Sequence, residues 1–164
     1  MDRRPTGTDG LTLLEILLVL ALIGLTATAA GSALHAVVDT HRHAATTNTL
    51  LAHLHFARSE AVRRGHDVTL CPVADGNGCG SDWSRGWRVV LGDDTDTILR
   101  QHTELHRTRL DYNRSRLSLR YDGSSRAGGT FSLCTRSTGR ETRLIVSRSG
   151  RVRHESGTKA ACPE

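Results

Sequence analysis

From Ile16 to Val38 the chain runs for 23 residues without a charged side chain, in a stretch built mostly of Leu, Ala, Val and Ile. As a helix this stretch is about 34 Å long, enough for a bilayer core of about 30 Å. Glu15 stands alone at its apolar start. An isolated carboxylate there costs roughly 2.5–3.5 kcal/mol to place in lipid, so it requires a cationic partner. Farther on, Leu50, Leu54, Ala57 and Ala61 recur at helical spacing, flanked by Leu51 and Val62. That stripe suits packing against a sheet. Gly65 ends it, after Arg63 and Arg64 in the last turn, where cations complement the helix dipole. A single helix from about residue 12 to 64 is predicted, its second half amphipathic.

After Gly65 the period changes to two. Strands are predicted at 67–71, 86–91, 97–102, 116–121, 130–134, 142–147 and 151–154. Turn clusters separate them: Asp75-Gly76-Asn77-Gly78, Gly92-Asp93-Asp94, Asp122-Gly123-Ser124 and Ser149-Gly150. Seven short strands imply two small antiparallel sheets on the helix, an α+β fold.

Charge is distributed unevenly. Residues 35–99 hold six Arg against eight acids, a net of −2, whereas residues 100–153 hold 13 Arg against four acids, a net of +9. Codon bias accounts for 21 Arg against one Lys, but not for the loss of acids after residue 100. A cationic half of this kind points to a polyanion: nucleic acid or an anionic membrane surface. No Ser/His/Asp arrangement, carboxylate pair or phosphate loop is present to support an enzyme, and no cofactor is expected.

The four cysteines, Cys71, Cys79, Cys134 and Cys162, favour disulfides if the anchor places them outside the cytoplasm. Of three possible pairings, Cys71–Cys79 and Cys134–Cys162 are preferred: one closes the Gly-rich loop, the other ties the tail to a strand. Loop entropy gives them roughly 2.6 and 3.6 kcal/mol respectively. A metal site is not expected. There is no Cys-x-x-Cys, and the pairs His41/His43 and His53/His55 fall on different faces of a helix.

The segment Gly10-Leu11-Thr12-Leu13-Leu14-Glu15, followed by an uncharged helix, resembles the processing site of type IV prepilins. The resemblance implies a leader at 1–10, cut after Gly10 by prepilin peptidase, with Leu11 methylated as the new amino terminus. Residues 11–34 would form the transmembrane and filament-core helix. Residues 35–164 would form the periplasmic pilin-like globular domain. Glu15 would meet a neighbouring subunit's terminal amine during assembly. The subunit would wait in the inner membrane as a single-pass protein, then join other pilins or pseudopilins in a periplasmic or extracellular filament.

Cys71-Pro72, the loop to Cys79, and Trp83-Ser84-Arg85-Gly86-Trp87 resemble the GspH/FimT branch of this family. Trp83 and Trp87 are expected to pack against the loop and helix rather than stack on bases. The branch holds GspH-type pseudopilins of type II protein secretion and FimT-type minor pilins, some of which bind DNA for uptake in natural transformation. Gly150-Arg151-Val152-Arg153 resembles the Gly-Arg-x-Arg motif of the second kind. In a strand Arg151 and Arg153 project from one face, with Val152 turned inward. Arg148, Arg143 and Arg140 are expected to join them. Such guanidiniums lie about 6–7 Å apart, close to the spacing of successive phosphates, and contact without reading sequence.

Overall fold

Thr12 starts the helix chemically: its Oγ1 accepts the Glu15 N–H at 3.3 Å, and its carbonyl oxygen accepts the same N–H at 3.0 Å. With Glu at the third helical position this is a capping-box sequence. The structure, a computed structural model, describes residues 12–92, 97–135, 137 and 139–158, with the backbone alone at 25–33 and 158. Helix α1 spans Leu13–Arg64 and passes through two compact units, one ending at Val37 and one beginning at Val38. Among the described residues, no helix is long and apolar enough to cross a membrane. The expected leader at 1–10, with Gly10 and Leu11, lies outside the described residues, as does Cys162.

At its other end α1 stops where expected. Gly65 takes φ +66°, and Arg63 and Arg64 both bond the Glu60 carboxylate, each at 2.6 Å. Those two guanidiniums hold the Glu60 carboxyl down at about 2. Leu50, Leu54, Ala57 and Ala61 are all buried and form the helix side of the core.

Eight strands follow: β1 (Val68–Pro72), β2 (Trp87–Leu91), β3 (Ile98–His102), β4 (Thr108–Tyr112), β5 (Leu117–Leu119), β6 (Gly129–Thr135), β7 (Arg140–Val146) and β8 (Val152–Thr158). They make two antiparallel four-stranded sheets, ordered β3-β2-β1-β5 and β4-β6-β7-β8. Every residue of β1 is buried, so the strand reads as a continuous run rather than an alternation. The second sheet alternates instead: in β7, Thr142, Leu144 and Val146 face the core while Arg140 and Arg143 are exposed.

β4 was not among the expected strands. Thr108, Leu110 and Tyr112 are buried, and Arg109 and Asp111 lie on the other face, a period-two pattern masked by the charges around it. Several strand bounds also differ from those expected. β5 ends at Leu119 because Arg120 opens a turn, its N–H donating to the Ser124 carbonyl at 2.7 Å. β8 runs past His154 because it pairs with the whole of β7, up to Arg140 against Thr158.

Both tryptophans are interior. Trp83, in a short 3-10 turn (Trp83–Arg85), meets Tyr112 and Phe131 edge-on, with centroids 5.4 and 5.3 Å away. Trp87 donates its indole N–H to His53 Nδ1 at 2.9 Å. Cys71 and Cys79 are bonded, their Cα atoms 5.6 Å apart. Cys134 is disulfide-bonded too.

Candidate nucleic-acid interface

β7 and β8 form a hairpin whose register fixes the position of every cation on it. Val146 faces Val152, Ile145 faces Arg153, and Arg143 faces Glu155. The turn between them closes with the Gly150 N–H on the Ser147 carbonyl and the Ser147 N–H on the Arg151 carbonyl, both 2.9 Å. The Ser147 hydroxyl also accepts the Arg151 N–H at 3.2 Å. Gly150 adopts φ +72°, a conformation that costs other residues about 1–2 kcal/mol. Val152 is half-buried against the core while Arg151 and Arg153 are exposed. Arg148 is exposed on the same turn. Among the described residues these three guanidiniums have no hydrogen bond or ion pair.

The other two expected cations are placed differently. Arg143 lies 3.5 Å from the Glu155 carboxylate opposite it, which neutralises it in part. Arg140 sits six residues along β7 from Val146, about 20 Å from the turn. It belongs to the far end of the hairpin. The outer face of this sheet also carries Asp111, Glu141 and Glu155. The concentrated positive charge is therefore at one end of the sheet, not across its face.

Topology brings further arginines to that end. Tyr112 faces Phe131, and Gly129 faces Val146, so β4 ends where β6 begins and β7 ends. The chain then crosses from the second sheet to the first through residues 113–116 and returns through 120–128. These crossings carry Arg114, Arg116 and Arg120, all exposed. Arg114 Nε donates to the Gly128 carbonyl at 2.7 Å, and the Ser125 N–H donates to the Arg148 carbonyl at 2.9 Å. Arg58 arrives from α1 and donates to the Gly150 carbonyl at 3.3 Å. Arg126 is spent on Asp67, at 2.7 Å. In the sequence Arg114, Arg116 and Arg120 are separated from Gly150 by some thirty residues, and no local pattern joins them; only the strand order does.

Glu15 is exposed in the first turn of α1. No cluster of His, Cys, Asp or Glu suited to a metal occurs among the described residues. An open cavity of about 660 Å³ lies instead by Ser84, Arg107, Thr108, Arg109 and Ser137. There the Ser137 hydroxyl donates to the buried Asp39 carboxylate at 2.6 Å and Arg107 lies 3.6 Å from it. The hydroxyl first, and the guanidinium after it, hold the Asp39 carboxyl below the usual range.

A long helix leading into two four-stranded antiparallel sheets, with a disulfide-closed loop after β1, defines a pilin-like subunit of the minor pilin and pseudopilin class. The chain belongs to the family of the type II transport protein GspH, whose profile matches residues 46–150. It is similar in structure to the type IV minor pilin FimU of Pseudomonas aeruginosa (strain PAO1). In one crystal form the TM-score is 0.61 at 20% identity, covering 76% of this chain and 97% of that one. In a second form the score is 0.57 at 23% identity, covering 73% and 98%. The minor pseudopilin EpsH of the type 2 secretion system of Vibrio cholerae is similar with a TM-score of 0.51 at 15% identity, covering 66% and 92%. No curated protein sequence matches the chain significantly.

Proposed function

We propose that this chain is a minor subunit of a type IV filament and that it binds DNA without sequence preference, for uptake in natural transformation. In this reading prepilin peptidase cuts after Gly10 and methylates Leu11. Residues 11–34 hold the subunit in the inner membrane and later line the filament core, with Glu15 meeting a neighbour's terminal amine. Residues 35–164 then stand outside the cytoplasm as the globular domain. The observation that carries the DNA reading is the Gly150 turn, where Arg148, Arg151 and Arg153 are exposed and have no side-chain partner among the described residues. Each can take a phosphate bidentately. Arg114, Arg116 and Arg120 widen the cationic end.

A second reading is favoured by the family itself: a GspH-type pseudopilin of type II secretion that contacts only proteins. Titrating the full chain in detergent against random-sequence DNA at several salt concentrations separates the two. Micromolar binding that weakens with salt and collapses in Arg151→Gln/Arg153→Gln supports DNA uptake. Each phosphate contact removed lowers the salt slope by about 0.9. No binding at low salt, or binding unchanged in the double variant, favours the pseudopilin.

A further inference from the structure

The chain has six aromatic residues of the Phe, Trp and Tyr types. Trp83, Trp87, Tyr112 and Phe131 are buried. Phe56 is half-buried and covered by the Arg100 guanidinium, 3.8 Å above its centroid. Tyr121 alone is 61% exposed. A single exposed ring says little by itself; its position decides its meaning.

Tyr121 occupies a corner of the turn that faces the arginine hairpin. The Gly123 N–H closes this turn on the Arg120 carbonyl at 2.8 Å, and the Tyr121 N–H donates to Asp67 Oδ1 at 3.2 Å. The Asp122 carboxylate accepts the Ser124 N–H at 2.8 Å. The backbone is thus tied on both sides of the ring. Gly123 of the same turn lies directly against Gly150, so the Tyr121 and Gly150 Cα atoms are within roughly 11 Å of each other. Arg120 precedes the ring in sequence, and Arg148 and Arg151 flank Gly150.

We propose that Tyr121 is a stacking platform for an unpaired base, and that this end of the molecule takes single-stranded DNA or a frayed duplex end in preference to intact duplex. The inference rests on the DNA-binding reading above and names the form of DNA that the same site holds best. Duplex bases already stack on one another and present no free face. An unpaired base has one, and stacking on an aromatic side chain tolerates any base, as a sequence-independent binder requires. A ring on a tethered turn loses little freedom on binding, while the arginines beside it hold the adjoining phosphates.

The test is fluorescence anisotropy of the full chain in detergent with a labelled random-sequence 20-mer, as single strand, as blunt duplex, and as a single strand carrying abasic sites. Tyr121→Ala is expected to weaken single-strand binding about tenfold at unchanged salt slope while leaving duplex binding in place, and Tyr121→Phe to restore it. The abasic strand should bind the parent as weakly as the intact strand binds Tyr121→Ala. Arg151→Gln/Arg153→Gln should weaken every form and flatten the salt dependence. Equal loss on duplex and single strand, or no loss in Tyr121→Ala while the arginine effect persists, overturns the stacking role and leaves the DNA reading standing. Absence of binding to any form overturns both.

Discussion

Gly150 packs so closely on Gly123 that a Cβ added to Gly150 would overlap the Gly123 carbonyl oxygen. The contact locks the β7–β8 turn onto the β5–β6 connection and so fixes the cationic end. It also makes Gly150 demanding twice over, because φ is +72° there as well. Gly150→Ala is expected to destabilise the fold by at least about 2 kcal/mol, from the left-handed backbone and the clash together. Thermal unfolding read from the two buried tryptophans checks this. An unchanged midpoint would mean that the turn has room to move.

The pairing of Arg143 with Glu155 yields a prediction of opposite sign. Arg143→Gln removes a charge already compensated at 3.5 Å, so DNA binding should fall by less than about twofold. Glu155→Gln releases Arg143 two strand positions from Arg153 and should strengthen binding, raising the salt slope by up to about 0.9. If Glu155→Gln weakens binding, the glutamate serves to orient Arg143 and the hairpin face, rather than the turn, is the contact surface.

Much of this architecture was legible in local periodicity, because the Leu50–Ala61 stripe and most strands bury one face against one core. The Cys71–Cys79 bond was legible from the short Gly-rich loop it closes, and the interior tryptophans from their place beside that loop. β4 was obscured because Arg107, Arg109 and Asp111 surround its three buried positions. The make-up of the cationic end was less legible. The Gly-Arg-x-Arg resemblance and strand alternation together pick out Arg151 and Arg153, whereas Arg140, near them along the chain, stands about 20 Å from the turn. Arg114, Arg116 and Arg120 reach the site through a crossing between sheets, which no spacing records.

Arg88 illustrates the same gap inside the fold. It is the second residue of β2, 2% exposed, and its guanidinium donates to the carbonyls of Ala74, Gly76 and Gly78 at 3.0, 2.7 and 2.8 Å. The Cys71–Cys79 bond and this buried cation, which gathers the loop's carbonyls, thus both restrain the Gly-rich loop. Arg88→Met keeps the aliphatic stem but leaves those carbonyls without their donor, and should cost about 3 kcal/mol. Reduction of Cys71–Cys79 should cost about 2.6 kcal/mol in the loop-entropy model. The two losses should add to less than their sum, since both free the same loop. Full additivity in denaturant unfolding would show that Arg88 and the disulfide restrain separate segments.

Stability should fall on mild acidification. His43 projects from α1 into the second sheet, 2% exposed, with Nδ1 2.8 Å from the Thr135 hydroxyl and Nε2 2.9 Å from the Thr142 hydroxyl. Neutral imidazole satisfies this arrangement, one nitrogen donating and the other accepting. Burial is the main cause that lowers its pKa from 6.5, and Arg140 and His154 push the same way. His53, bonded to Trp87, is lowered by burial first and by Arg100 and His102 after it. The sign follows from linkage. Below about pH 6.5 the unfolded chain binds a proton at each histidine that the folded chain does not. Stability from both groups is complete above that pH and declines as pH falls toward their folded values. The limiting slope is about 1.4 kcal/mol per pH unit for each histidine. His43→Gln should lower stability at pH 7.5 by disrupting the threonine contacts, yet lose less than the parent between pH 7 and 5. Parallel pH profiles for the two proteins in urea unfolding would show that His43 stays titratable in the fold and that the acid sensitivity lies elsewhere.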